Sequence, residues 1–238
     1  MPAPPLSRRL ARVDWAAIAA SLDAAGFARI PALLTTRECT GLARLFDDDA
    51  RFRQTIDMAR YRFGEGRYRY FTRPLPPLVA ALRAQLYVRL VPVANRWAEM
   101  LGDPTRFPST HARYLGECAA RGQRRPTPLL LRYGAGGYNA LHQDVYGESV
   151  FPLQVTIMLD RPDVDFSGGE FLLVEQRPRM QSRGHAFMLG QGDAIVFACR
   201  ERAAAGTRGM YRVGVRHGVS TVGSGTRTTL GVIFHDAR

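Results

Sequence analysis

From about Thr127 to the end, the chain breaks into short β-branched segments separated by glycine turns. This pattern constrains the fold more than any other feature. The segments run Leu129 to Tyr133, Phe151 to Leu159, Gly169 to Val174, Ala194 to Ala198, Arg212 to Val222 and Arg227 to Phe234. Strands of this length and spacing predict an antiparallel sandwich or barrel. The first third reads as mostly helical. Asp14 to Ala25 sets Trp15, Ile18 and Leu22 at helical spacing and stops at Gly26, with a short strand from Phe27 to Pro31. Thr35 and Glu38 form a capping box, and Cys39, Leu42, Leu45 and Phe46 supply the buried face of the next helix. Pro76 and Pro77 open another helix, striped by Leu78, Leu82, Leu86, Val93 and Trp97 and kinked near Pro92. The class is therefore mainly β with flanking helices (α+β). With 238 residues, 46% hydrophobic, one domain is expected over 1–238. Within it, 1–126 is a helical scaffold carrying a possible substrate-binding hairpin, and 127–238 is the β-core.

Thirty-three basic residues face 21 acidic ones, a formal net charge of +12, and every basic residue is arginine. The balance favours polyanionic partners such as nucleic acid, although arginine in place of lysine throughout is also what a GC-rich genome produces. Cys39, Cys118 and Cys199 are odd in number and far apart, so neither a disulfide framework nor a cysteine zinc site is indicated and the compartment is expected to be reducing. No apolar run reaches the ~18 to 20 residues that a spanning helix needs, and Met1 to Asp14 does not resemble a signal peptide. The expectation is a soluble cytoplasmic protein with no membrane partner. Its oligomeric state is not readable.

Two of the five histidines have informative neighbours: His142 in Leu141-His142-Gln143-Asp144, and His217 in Arg216-His217-Gly218. Two residues apart on a strand, His142 and Asp144 share a face and can reach one ion, with His217 from a later strand as the third ligand. Two histidines and one carboxylate leave open positions on non-haem Fe(II). Arg227 lies ten residues after His217, and Thr229 shares its strand face. A guanidinium fork beside a hydroxyl suits the far carboxylate of a dicarboxylate. A zinc hydrolase can use the same three ligands, but it leaves Arg227 and Tyr133 without a role.

These residues resemble the Fe(II)/2-oxoglutarate-dependent dioxygenase superfamily, whose pattern is H-x-D, a distal histidine and a basic residue about ten positions beyond. The resemblance spans roughly Leu129 to Phe234. Phe166-Ser167-Gly168-Gly169-Glu170 and Gly192-Asp193-Ala194-Ile195-Val196-Phe197 are similar to turn-strand segments of that superfamily's core. It implies a double-stranded β-helix (jelly-roll, cupin-like), Fe(II) on His142, Asp144 and His217, and 2-oxoglutarate held by Arg227, Thr229 and Tyr133. O2 is the co-substrate, ascorbate a possible reductant, and succinate and CO2 the co-products. Gln154 and Thr156 share one face of their strand, either lining the cavity or forming an ordinary polar outer face.

Two substrate readings follow. The frame from Arg132-Tyr133 to Leu141-His142-Gln143-Asp144 is similar to alkylated-base demethylases. Arg51 to Arg73 also interleaves seven arginines with Tyr61, Phe63, Tyr68, Tyr70 and Phe71. Arg62, Arg67, Tyr68, Arg69 and Tyr70 are the expected substrate contacts, unless the segment is simply an amphipathic hairpin with a solvated face. The ten-residue gap from His217 to Arg227 and the Gly-Gly-Glu turn instead resemble prolyl and other peptidyl hydroxylases. Arg200, Arg202 and Arg208, in an expected loop before Tyr211, suit phosphates or an acidic peptide equally. A metal-free binding module is a third reading, opposed by the intact His142, Asp144, His217 and Arg227. His111, His185 and His235 are read as surface or structural residues.

Overall fold

The computed structural model describes residues 4–144, 147–207 and 209–238. Its helices are α1 (Leu6–Ala11), α2 (Trp15–Ala25), α3 (Thr36–Arg44), α4 (Pro77–Met100) and α5 (His111–Ala120). Its strands are β1 (Phe27–Ile30), β2 (Phe52–Asp57), β3 (Gly64–Glu65), β4 (Arg67–Phe71), β5 (Leu129–Tyr133), β6 (Tyr138–His142), β7 (Leu153–Met158), β8 (Phe166–Gly168), β9 (Phe171–Gln176), β10 (Arg183–Phe187), β11 (Ala194–Ala198), β12 (Glu201–Gly206), β13 (Gly209–Val219), β14 (Val222–Gly225) and β15 (Arg227–Val232).

Local chemistry accounts for the helix ends. Asp14 caps α2 by accepting from Ala17 N, and Gly26 closes it at φ 76°, in the left-handed region where a side chain is strained. The Thr35–Glu38 capping box starts α3. Leu45 and Phe46 fall in a 3-10 turn beyond α3 rather than in the helix itself. α4 runs through Pro92 and buries Val79, Leu82, Leu86, Leu90, Val93 and Trp97. By length and composition α4 is apolar enough to cross a bilayer, unlike the expectation from uninterrupted runs. Its apolar face is instead spent on the protein's own core, where each buried leucine contributes roughly 1.5–3 kcal/mol. The helix is also tied down by charge. Buried Arg83 donates to the Ile233 carbonyl at 2.7 Å, the His235 carbonyl at 2.9 Å and Asp236 Oδ1 at 2.7 Å, which holds the C-terminal segment against α4.

The strands form a seven-stranded sheet in the order β1-β11-β7-β15-β5-β4-β2 and a second sheet in the order β10-β9-β13-β6-β3, with β12 on β13 and a small β14-β8 pair. Each recorded strand pairing is antiparallel, as the glycine-punctuated pattern predicts, and the architecture is the jelly-roll. Position 126 marks no structural boundary. The N-terminal part supplies β1 to one edge of the large sheet and β4-β2 to the other. Along β5, β7 and β15, Leu130, Val155, Ile157, Leu230 and Val232 join the helices in one apolar core, while their neighbours in sequence face the opposite way, into a cavity.

Of the three histidines read as surface or structural residues, His111 and His235 are buried and His185 is half-buried. His111 at the start of α5 is buried with Nε2 2.8 Å from the Phe234 carbonyl, and His235 Nδ1 accepts from Phe151 N at 3.2 Å. His185 lies within β10 and meets the Phe27 ring edge-on. Burial pushes both His111 and His235 down to about 4, further lowered by the Arg83 charge. The unfolded chain therefore binds these protons near pH 6.5 and the folded chain only near pH 4, so stability is fully present above pH 6.5 and falls through that window. Urea titrations at pH 7 and pH 4.5 should show a loss of a few kcal/mol, with up to about 3 from each histidine, and a pH-independent midpoint would contradict this.

Candidate active site

A cavity of about 390 Å³ lies between the two large sheets. The smaller sheet contributes the metal-ligand types. His142 ends β6 and is the direct cross-strand partner of His217 on β13, and the two rings have centroids 4.2 Å apart. A register shift between His217 and Val219 locates a bulge beside His217; such bulges re-aim side chains. A Cβ on the intervening Gly218 would come within 2.6 Å of the Asn139 carbonyl, so only glycine fits there. Asp144 is not on the strand with His142, as the sequence suggested, but in the loop just after it. Gln143 anchors that loop by donating to the carbonyls of Arg200 at 2.8 Å and Val215 at 2.9 Å, a role that sequence pattern does not disclose.

The result is convergence on one point. Asp144 Oδ2 lies 3.2 Å from His217 Nε2, Asp144 Oδ1 lies 3.7 Å from His142 Nε2, and the three ligand atoms fall within 4.8 Å of one another. His142 Nδ1 donates to the Ala140 carbonyl at 2.7 Å, which leaves the Nε2 lone pair free for a metal. Burial, and then the neighbouring His217, hold His142 below its ordinary pKa and keep it neutral. Gln154 Nε2 sits 3.4 Å from His217 Nε2, and Gln154 and Thr156 line the cavity rather than an outer face.

The larger sheet contributes the anion pocket. Arg227, Thr229 and Gly231 alternate toward the cavity along β15; Arg227 is paired in register with Tyr133 and Thr229 with Leu131. Arg227 is wholly buried, and among the described residues none of its three side-chain nitrogens has a hydrogen-bond partner. Its guanidinium carbon lies 5.5 Å from the centroid of the Tyr133 ring. Burial drops its pKa to about 10. Nearby carboxylates are engaged elsewhere, Glu170 with Ser220 Oγ and Asp160 with Thr228 N. A buried, unpaired guanidinium is costly, and a carboxylate in the cavity removes that cost. The donor set thus fits Fe(II) on one side and 2-oxoglutarate on the other. Tyr133 is buried, with its phenol raised to about 12 by burial, and accepts from Asn139 Nδ2 at 3.3 Å.

Gly169 explains part of the Gly-Gly-Glu turn. At φ 66° it passes so close to Arg227 that a Cβ would lie 2.7 Å from Arg227 Cδ. The turn thus packs directly against the Arg227 side chain.

The expected substrate contacts divide. Arg62, Tyr68 and Tyr70 line the cavity, joined by Phe63 and Leu141, which were not singled out as contacts. Burial, then Asp144, pushes the Tyr68 phenol up to about 12. Arg67 is exposed and does not line the cavity. Arg69 is a correction. Alternation along β4 turns it away from the cavity, onto Phe52 at 4.4 Å, Asp49 Oδ1 at 2.5 Å and the Phe46 carbonyl. Arg202 is a second correction, because the expected loop is strand β12 and buried Arg202 pairs with Glu175 at 2.6 Å. Arg200 is exposed beside it, and Arg208 lies outside the described residues.

Arg227→Met should raise the unfolding free energy of the ligand-free protein by about 1–3 kcal/mol while weakening 2-oxoglutarate by about 100-fold or more, read by thermal melts with and without 2-oxoglutarate. Equal 2-oxoglutarate stabilisation of both proteins would remove Arg227 from the pocket. Gly169→Ala should weaken 2-oxoglutarate by displacing the arginine, with Fe(II) binding largely kept. Because burial holds His142 below its ordinary range, Fe(II) affinity measured anaerobically should fall as acidification protonates the site, with the His142 contribution lost at a lower pH than for a free histidine.

Comparison with known proteins agrees with this geometry. A family model named Oxygenase-NA, described as an oxygenase catalysing oxidative methylation of damaged DNA, matches residues 66–237. The uncharacterized protein Rv2227 of Mycobacterium tuberculosis H37Rv is 50% identical over 167 residues, which cover 70% of this chain and 72% of that one. Among solved structures, a prolyl-4-hydroxylase from Pseudomonas putida superposes over 94% of this chain and 99% of its own with a TM-score of 0.57 at 16% identity. A 2OG-Fe(II) oxygenase family oxidoreductase from Burkholderia pseudomallei does so over 95% and 94% with a TM-score of 0.53 at 19% identity. With the His-Asp-His cluster and the unpaired buried arginine facing one cavity, the chain belongs to the Oxygenase-NA family and is a 2-oxoglutarate-dependent, non-haem iron dioxygenase.

Proposed function

We propose that the protein oxidises the alkyl group of an alkylated nucleic-acid base. The observation that carries this reading is the aromatic wall that continues from the anion pocket along β5 and β4 of the same sheet. Tyr68 and Tyr70 face inward there with Leu129 and Leu131, with Arg62 and the exposed Phe63 at the edge, and so offer flat apolar surfaces and one cation to a planar ring joined to a phosphate backbone. The chain's net charge of +12 and the description of its family support the same reading.

The residues divide the work. His142, Asp144 and His217 would hold Fe(II) through two imidazole nitrogens and a carboxylate oxygen. Arg227 and Thr229 would bind the far carboxylate of 2-oxoglutarate, with Tyr133 closing the pocket beside them. When bound, iron with 2-oxoglutarate and O2 supplies the oxidant that places a hydroxyl on a substrate C–H, while 2-oxoglutarate leaves as succinate and CO2. Gln154, close to His217, orients what lies on the open side of the metal cluster. The apolar walls from Leu129, Leu131 and Phe171 exclude water. Hydroxylation of an N-methyl carbon yields a hemiaminal that releases formaldehyde. The net change at the base is therefore loss of a methyl group, since nothing in this chemistry supplies one.

Peptide hydroxylation is the second reading, favoured by the fold likeness to a prolyl-4-hydroxylase. It shares the iron and 2-oxoglutarate residues and differs only in what the aromatic wall receives.

Purified protein given Fe(II), 2-oxoglutarate, air and N-methylated oligonucleotides should release formaldehyde and succinate in equal amounts. Asp144→Ala should lower both by at least about 100-fold. Succinate formed with a proline-containing peptide but never with oligonucleotides would move the substrate to protein, and full turnover by Asp144→Ala would sink the metal assignment.

A further inference from the structure

The rim of the cavity carries two aromatic rings that neither the metal cluster nor the anion pocket uses. Tyr61 and Phe63 are 55% and 46% exposed, yet they stack on one another with centroids 5.6 Å apart and planes inclined by 20°. Exposed rings gathered in a patch mark a site of interaction.

The pair is held by backbone, not left on a free loop. Tyr61 N and Phe63 N both donate to the carbonyl of buried Met58 at 3.1 Å, and Met58 N donates to the Gly66 carbonyl at 3.0 Å. The Phe63 carbonyl accepts from Ala140 N at 2.8 Å, on the strand that ends in His142. Between the rings, Arg62 takes φ 59°, a left-handed conformation that costs a non-glycine residue about 1 kcal/mol or more and recurs at binding sites. The turn sets the two side chains face to face and fixes them relative to the metal cluster.

The surroundings are cationic. Arg60, Arg62 and Arg67 on the same stretch are exposed and have no carboxylate partner among the described residues. A ready-made aromatic face flanked by free guanidinium groups suits a nucleobase and its phosphates: stacking accepts any base, and the cations meet the backbone. A base within a duplex has both faces covered by its neighbours. A base in a single strand has a face to give.

We infer that Tyr61 and Phe63 are a stacking platform for the nucleotide next to the one in the cavity, which makes single-stranded nucleic acid the preferred substrate class. This inference rests on the cavity being an alkylated-base site, and the test separates the two. Demethylation of an N-methylated pentanucleotide and of the matching mononucleoside is compared for the wild type, Tyr61→Phe, Tyr61→Leu and Tyr61→Ala, with fluorescence anisotropy of a labelled unmodified single strand as the binding measurement. In Tyr61→Ala the pentanucleotide-to-mononucleoside ratio of kcat/KM should fall about tenfold and single-strand affinity by a similar factor; Tyr61→Phe should keep both and Tyr61→Leu should behave like alanine. Tyr61 is 55% exposed, so truncating it removes no buried packing and leaves the fold intact. An unchanged ratio and affinity in Tyr61→Ala, leucine serving as well as phenylalanine, or a duplex bound as tightly as the single strand each overturn the platform. Absence of formaldehyde from both substrates in the wild type overturns the demethylase reading instead, while anisotropy still judges the platform. A proline-rich peptide that displaces the labelled strand and is itself lost in Tyr61→Ala would assign the rings to peptide and overturn the inference.

Discussion

A guanidinium sealed inside the protein without a partner is the constraint on which the arrangement around it depends. Arg227 sits mid-sheet on β15, between β5 and β7, where none of the described residues accepts a hydrogen bond from it. The packing around it leaves room for the side chain to face the cavity. Gly169 passes within a Cβ's reach of the arginine stem, Val222 packs on the same side, and Tyr133 offers its ring. A site that is unstable without its ligand is a site pre-organised for it, since nothing has to be unmade when a carboxylate arrives.

The two sheets divide the chemistry. The smaller sheet holds the metal-ligand types, set by a direct cross-strand histidine pair and a bulge, with Asp144 brought in by a loop that Gln143 pins. The larger sheet holds the anion pocket and the aromatic wall. Its continuity across β15, β5 and β4 places Tyr68 and Tyr70 in line with Leu131 and Leu129, and those in line with Thr229 and Gly231. Antiparallel pairing without gaps converts alternation in sequence into one functional face. The helices pack on the opposite face, and Arg83 of α4 secures the chain end that follows β15.

Much of this was legible in the residues. The helix boundaries at Asp14, Gly26 and Thr35 follow from capping, which is local, and the positions of the main strands follow from β-branched runs and glycines. His142, His217 and Arg227 were singled out because they fall on strands that pair, and Asp144 because it lies two residues beyond His142, although the structure puts it in a loop. The errors share a cause. Arg69 and Arg202 were counted with the basic surface, yet one lies on Phe52 and the other in a buried pair with Glu175. A charged residue's letter does not reveal whether its strand face is covered. The long helix Pro77–Met100 likewise has an apolar composition whose destination depends on what lies beside it.

By itself the sequence determined the alternation of faces, the caps and turns, and the set of groups available for iron and a dicarboxylate, because these depend on neighbours a few positions apart. Only the tertiary structure decided that β1 and the β4-β2 hairpin complete the large sheet, that Gly169 and Gln143 serve the site, and that Tyr61 and Phe63 stand exposed at its rim. Those outcomes depend on contacts between residues far apart in the chain, where close packing, not local preference, determines which side chains meet.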